Sequence, residues 1–219
     1  MNTISRVIFL SVIVIVAFAG YWITSPKRVV VPDQLQGILS PVEKMLSDFN
    51  LIDQYEKPFT LERLKNKWSF VFFGYTHCPD ICPTSMQDLK VVIKQLKEKY
   101  PDLHKNTQVV FVSVDPKRDT AKLLGEYVSY FNKDFIALTG VKKQIDNFTF
   151  QVGAGYFIEP PTNEAGDYPV AHTGSFFLVG PKGDVHAQFP QPHDTDKIVS
   201  QYNMIRKLSN SKQSILSFN

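Results

Sequence analysis

The chain has 219 residues, with 24 Lys plus Arg against 21 Asp plus Glu, a formal charge of +3. The whole surplus lies before Asp33, where Arg6, Lys27 and Arg28 meet no acidic residue; from Asp33 onward 21 basic and 21 acidic residues cancel. A neutral body argues against a nucleic-acid binder beyond a local patch, a 43% apolar content with 17 Phe argues against disorder, and two cysteines exclude a disulfide-dense scaffold and an all-cysteine four-ligand zinc site.

Val7–Ile23 is an uncharged, apolar run, interrupted mainly by Ser11 and Gly20. It lies at the short end of what spans a bilayer as a helix, and it lacks the polar face of a surface helix. A single-span anchor is the preferred reading, because the aromatic pair Tyr21-Trp22 suits a membrane interface. Ala17-Phe18-Ala19 before Gly20 also fits a cleaved signal peptide. Orientation is nearly tied, with Arg6 on one side and Lys27 and Arg28 on the other. No cysteine here can carry a lipid.

The layout expected is residues 1–6 as a cytoplasmic N-terminus, 7–23 as the anchor, 24–45 as a Pro- and Gly-punctuated tether, 46–208 as the domain and 209–219 as a flexible tail. From Asp33 on, roughly 185 residues suffice for one domain with a good core. Leu46–Ile52 reads as a weak strand. Trp68–Phe73 is an apolar, aromatic run ended by Gly74, a buried-strand signal. Met86, Leu89, Ile93, Leu96 and Tyr100 recur at helical spacing after Pro83, and Pro101 stops that helix.

Gln108–Val114 is a second buried strand. Asp119 is the expected cap of the next helix, whose stripe is Leu123, Leu124, Tyr127, Val128 and Phe131. Phe135–Leu138 reads as a strand, Lys142–Gln151 as a helix, and Ala154–Pro169 as irregular. Ser175–Val179 and Asp184–Phe189 form a hairpin about Pro181-Lys182-Gly183, and Thr195–Leu208 is the last helix. The order predicts an α/β fold with a central mixed β-sheet flanked by helices.

Both cysteines lie in Phe73-Gly-Tyr-Thr-His-Cys-Pro-Asp-Ile-Cys-Pro83, between a buried strand and a helix start. Pro83 belongs in a first helical turn. The partial positive charge of a helix N-terminus stabilises thiolate there, which redox exchange and soft-metal binding both need. An inert disulfide is the plainer alternative, but a bridge enclosing three residues removes little chain entropy.

Five histidines are present. His104 is expected to face solvent, and His186 and His193 receive no role. His77 abuts Cys78 and could tune its thiolate or supply a fourth ligand to zinc, although adjacent side chains diverge. Asp80 reads as a helix-start residue. Asp115 reads as the organiser of the Asp115-Pro116 turn, with a hydrogen bond to a metal ligand as the alternative.

The segment resembles the thioredoxin-like Sco/SenC family of copper-binding assembly proteins. Cys78, Cys82 and Pro83 match its Cys-x-x-x-Cys-Pro loop, Ser113–Thr120 its second-strand exit, and Ala171–Gly183 its histidine loop and hairpin. The match runs from about Leu46 to Leu208. It implies a thioredoxin-like fold behind an N-terminal transmembrane helix, and copper, as Cu(I) or Cu(II), held by Cys78, Cys82 and His172. It also implies a single-pass protein of the bacterial inner membrane with its domain on the periplasmic side. Cytochrome c oxidase subunit II is the implied partner, receiving copper at its CuA centre, beside periplasmic copper carriers or thiol reductases. The alternative is a thiol–disulfide oxidoreductase using Cys78 and Cys82 as a redox pair, for which His172 is dispensable.

Overall fold

The computed structural model describes residues 3–24, 31–161, 163 and 167–216. The chain divides into two compact units, Met1–Pro32 and Asp33–Asn219. The first holds helix α1, Thr3–Thr24, with no acidic residue in its first turn and no basic residue in its last. Among the described residues no helix is long and apolar enough to cross a membrane.

The second unit follows in chain order. After a 3-10 turn at Asp33–Leu35 come β1 (Leu39–Met45), β2 (Asn50–Asp53) and β3 (Pro58–Thr60). A second 3-10 turn at Leu61–Arg63 leads to β4 (Trp68–Gly74), α2 (Ile81–Lys99), the short α3 (Pro101–Lys105), β5 (Thr107–Ser113) and α4 (Ala121–Phe131). Then come β6 (Ile136–Thr139), α5 (Lys142–Val152), β7 (Tyr156–Ile158), β8 (Val170–His172), β9 (Phe176–Val179), β10 (Asp184–Phe189) and α6 (Thr195–Leu216).

Among the described residues eight strands form one sheet in the order β1-β10-β9-β4-β5-β6-β2-β3; that it is mixed is what the alternation of elements predicts, while the strand order comes from the structure. β4, β5 and β6 run parallel; β9 lies antiparallel on the other side of β4. All seven residues of β4 are buried, which explains its unbroken apolar sequence: a strand covered on both faces has no polar alternation to show. Phe70, Phe72 and Phe73 from β4, Phe111 from β5 and Phe176 from β9 are fully buried. Each stabilises the core by about 2–3 kcal/mol relative to exposure. Gly183 takes a φ of +79° at the turn between β9 and β10, a conformation glycine adopts without a Cβ penalty.

Three expectations differ from the structure. Residues 24–45 read as a tether, yet Leu39–Met45 is an edge strand paired with β10. Its pairing is irregular between Leu39 and Lys44, around Pro41, and that irregularity hid the strand from pattern reading. Ala154–Pro169 read as irregular, yet Tyr156–Ile158 pairs with Val170–His172 in a separate two-stranded sheet. Its strands of three residues are too short to show a period. The tail expected at 209–219 is helical through Leu216 as part of α6, and residues 217–219 lie outside the described residues. The part of the tether at 25–30 also lies outside them.

Candidate metal centre

β4 ends at Gly74, and the loop that follows enters α2 at Ile81. Cys78 therefore stands in the loop and Cys82 in the first helical turn, as the sequence predicts. Asp80 occupies the cap position without a side-chain cap; its carbonyl accepts from the Thr84 amide at 3.2 Å and the Thr84 hydroxyl at 3.0 Å. Cys82 is fully buried, while Cys78 is half-buried, and both thiols are free.

Gly74 makes room for this arrangement. A Cβ there would stand 2.7 Å from Cys82 Sγ and 2.9 Å from a Phe111 ring carbon. A Gly74→Ala protein is expected to bind thiophilic metals at least tenfold more weakly, because the Cys82 sulfur has no free space behind it. Competition against a chelator checks this; native affinity would overturn it.

The two thiols are not equivalent. The Cys82 amide donates to Cys78 Sγ at 3.4 Å, and the helix N-terminus lies beside it. A hydrogen bond from the Cys82 thiol is the largest influence on Cys78 and holds its pKa down to about 3, against the burial that would raise it. Donating that bond, together with burial, pushes the Cys82 thiol far up. The pair thus shares one proton over the neutral range, with the charge on the more accessible sulfur. Iodoacetamide is expected to modify Cys78 and spare Cys82, at a rate nearly constant from pH 8 down to about pH 5, because thiolate persists until pH falls to the lowered pKa. Mass mapping of the label checks this; a rate falling tenfold per pH unit below pH 8 would overturn it.

His172 comes from β8, in the two-stranded sheet. Its Nε2 lies 3.3 Å from Cys82 Sγ, and its Nδ1 lies 3.3 Å from the Thr173 carbonyl. An Nδ1–H donated to that carbonyl leaves the Nε2 lone pair facing the sulfurs. The ring meets Phe72 and Tyr75 edge to face, each at 5.9 Å. The ligand atoms of Cys78, Cys82 and His172 all lie within 4.8 Å of one another, the one such group among the described residues. A three-coordinate ion with bonds of about 2.0–2.3 Å separates its ligands by about 4 Å, so small adjustments close the site. Two thiolates with one imidazole suit a soft ion.

The other histidines turn elsewhere. His77 is half-exposed and directs Nδ1 to the Thr76 hydroxyl at 3.1 Å and to Asp119 at 3.8 Å, away from the cluster. His186 pairs with Asp184 at 2.7 Å and lies against Trp68. The His193 side chain is buried, stacks on Phe176 at 3.6 Å and faces Asp88 at 3.5 Å. His104, expected to face solvent, is half-buried in α3.

Sequence reading missed Asp119. It is not the cap of α4: Thr120 is, accepting from the Leu123 amide at 3.3 Å. Asp119 turns inward, almost completely buried, and accepts from the Thr76 amide (3.0 Å), the Thr76 hydroxyl (2.6 Å) and the Ser113 hydroxyl (2.6 Å). It thereby ties the end of β5 to the loop carrying Cys78. The signal was present: Asp119-Thr120 offers two capping residues where a helix needs one. Asp115 organises its turn as expected, its carbonyl accepting from the Arg118 and Asp119 amides at 3.2 and 3.0 Å.

A thioredoxin-like α/β domain with two unlike thiols at a strand–helix junction and an imidazole brought beside them is a thiol-and-metal protein in class. The SCO1/SenC family model matches residues 39–207, and the chain belongs to that family. A Stutzerimonas stutzeri protein is 37% identical over 164 residues, covering 75% of this chain and 78% of that one. The structure of Arabidopsis thaliana ScoI with copper bound superposes with a TM-score of 0.68 at 32% identity, covering 74% of this chain and 99% of that one. BsSco, described as having a disulfide switch and as a member of the Sco family of cytochrome c oxidase assembly proteins, gives a TM-score of 0.59 at 26% identity, covering 78% and 98%. This chain spans 44% of the yeast mitochondrial SCO2 protein and 66% of a Rickettsia conorii SCO2-like protein.

Proposed function

We propose that this protein is a membrane-tethered copper chaperone, which holds copper through Cys78, Cys82 and His172 and delivers it to the CuA centre of cytochrome c oxidase subunit II. The observation that carries this reading is the cluster of two thiols and one imidazole within 4.8 Å, in a member of a family with a copper-bound structure. Copper is cargo here. Two thiolates and a neutral imidazole carry two negative charges, giving a neutral site with Cu(II) and a charge of −1 with Cu(I), so one site accommodates both. Loading expels the proton shared by the thiols, which makes affinity rise with pH. Release proceeds by exchange of one thiolate at a time for a ligand of the recipient.

Titrating residues 33–219 with Cu(I) under chelator competition tests the site. The native domain is expected to bind one equivalent, and His172→Ala to bind more weakly. No binding by the native domain would sink the reading, and an unchanged variant would remove His172 from it.

The tether reading rests on the uncharged run Val7–Ile23 inside α1. The family resemblance, rather than the charges flanking the run, is what assigns the domain in this reading to the periplasmic side of a bacterial inner membrane. The full chain should stay with the membrane fraction in alkaline carbonate; release would remove the anchor.

A second reading is favoured by the unequal thiols. The Cys78 thiolate attacks a partner disulfide, forming a mixed disulfide and freeing one partner thiolate. Cys82, its proton lost to solvent, then attacks Cys78 Sγ and frees the second. Cys78 and Cys82 end oxidised and the partner reduced by the same two electrons. Reduction of the oxidase cysteines that survives His172→Ala would favour this reading over delivery.

A further inference from the structure

The strand that brings His172 to the thiols is not part of the main sheet. Among the described residues β7 and β8 pair only with each other, in three register pairs that include Tyr156 opposite His172. An isolated two-stranded sheet is marginal in water, so contacts with the body must set where it stands. On one side the Tyr156 hydroxyl donates to Asp146 of α5 at 2.5 Å.

On the cysteine side the contacts converge on the turn after β5. The Tyr168 hydroxyl donates to Asp115 Oδ1 at 2.8 Å. Arg118 Nε donates to the other oxygen, Asp115 Oδ2. The Arg118 guanidinium lies 3.7 Å from the centre of the Tyr168 ring and 5.5 Å from that of Tyr75. The Tyr75 hydroxyl in turn accepts from the Val170 amide at 3.4 Å, two residues before His172.

Asp115 is fully buried, so its charge has to be paired, and both of its oxygens are. A planar guanidinium can pair with that carboxylate and stack on a ring at once, which an ammonium cannot. We infer that Arg118 is a positioning residue: with Asp115 and Tyr168 it forms a clamp that holds the β7–β8 hairpin so that His172 meets Cys82. The clamp acts through the imidazole and touches neither sulfur. This inference rests on the reading of Cys78, Cys82 and His172 as the copper site.

Two mild substitutions test it. Tyr168→Phe removes the hydroxyl and keeps the ring; Arg118→Lys keeps a charge for Asp115 and loses the planar stack. Each is expected to weaken Cu(I) binding about tenfold, Tyr168→Phe through the loss of one hydrogen bond to a charged group and Arg118→Lys through the loss of the stack on the Tyr168 ring. In a His172→Ala background neither should weaken it further, because the clamp then has nothing to position. The imidazole resonances of His172 in the reduced, metal-free protein should also shift, since Phe72 and Tyr75 meet the ring edge to face.

Equal losses with and without His172 would overturn the clamp, because they would show an effect on the thiols or the fold at large. Unchanged affinity with unchanged imidazole resonances would overturn it too. If the native protein binds no Cu(I), the copper reading fails by itself, and the metal-free resonances decide the clamp: shifted in the variants they support it, unshifted they overturn it.

Discussion

A Cys82→Ser protein is expected to lose Cu(I) affinity by far more than the 10–100-fold that an outer hydrogen-bond partner of a metal ligand contributes. Cys82 Sγ lies 3.3 Å from His172 Nε2 and accepts no substitute from solvent, because the side chain is completely buried. A serine hydroxyl is a hard oxygen of similar size, so it fills the space and offers copper a poor ligand. The variant should therefore fold, with a melting temperature within a few degrees of native, and fail to hold copper against a chelator. Retention of copper within tenfold of native would remove Cys82 from the site.

The largest expected effect on stability belongs to Asp119. Asp119→Ala leaves the Thr76 amide and the Thr76 and Ser113 hydroxyls without their acceptor, in an interior that the side chain had almost fully left to them. Unpaired buried donors cost about 1–3 kcal/mol each before relaxation, and water entering from the Thr76 side recovers part of that. A net loss of about 3 kcal/mol is expected, lowering the melting temperature by roughly 10 °C for a domain of this size. Metal affinity should fall as well, because the loop before Cys78 loses its tie to β5. Asp119→Asn, which can keep two of the bonds, should fall between the two. A melting point for the alanine variant within 2 °C of native would overturn the assignment.

The contrast between Cys82 and Asp119 shows what is legible in the chain. Trp68–Gly74 could be read because a strand buried on both faces writes its environment into every residue. The cysteines could be read because thiolate chemistry, a strand end and Pro83 coincide within a few positions. His172 entered through resemblance, since a histidine before a strand carries no spacing that ties it to a site 90 residues earlier. Asp119 hid behind an equally good local role, capping, which its neighbour Thr120 performs. Leu39–Met45 hid because Pro41 and the irregular pairing erase the alternation an edge strand otherwise shows. Arg118 and Tyr168 were invisible for a further reason: stacking across 50 residues leaves no periodic trace.

The eight-stranded sheet and the two-stranded hairpin also differ in how they open. Amides of Phe70–Phe73, in a strand buried along its whole length, can exchange hydrogen with solvent only when the domain unfolds. Amides of Val170 and His172 need only the hairpin to part from the body. A metal ion joining Cys82 to His172 fastens the second kind of element to the first. Opening the hairpin then requires the imidazole to leave the metal, and the exchange rate of those few amides becomes a direct record of how often the imidazole lets go.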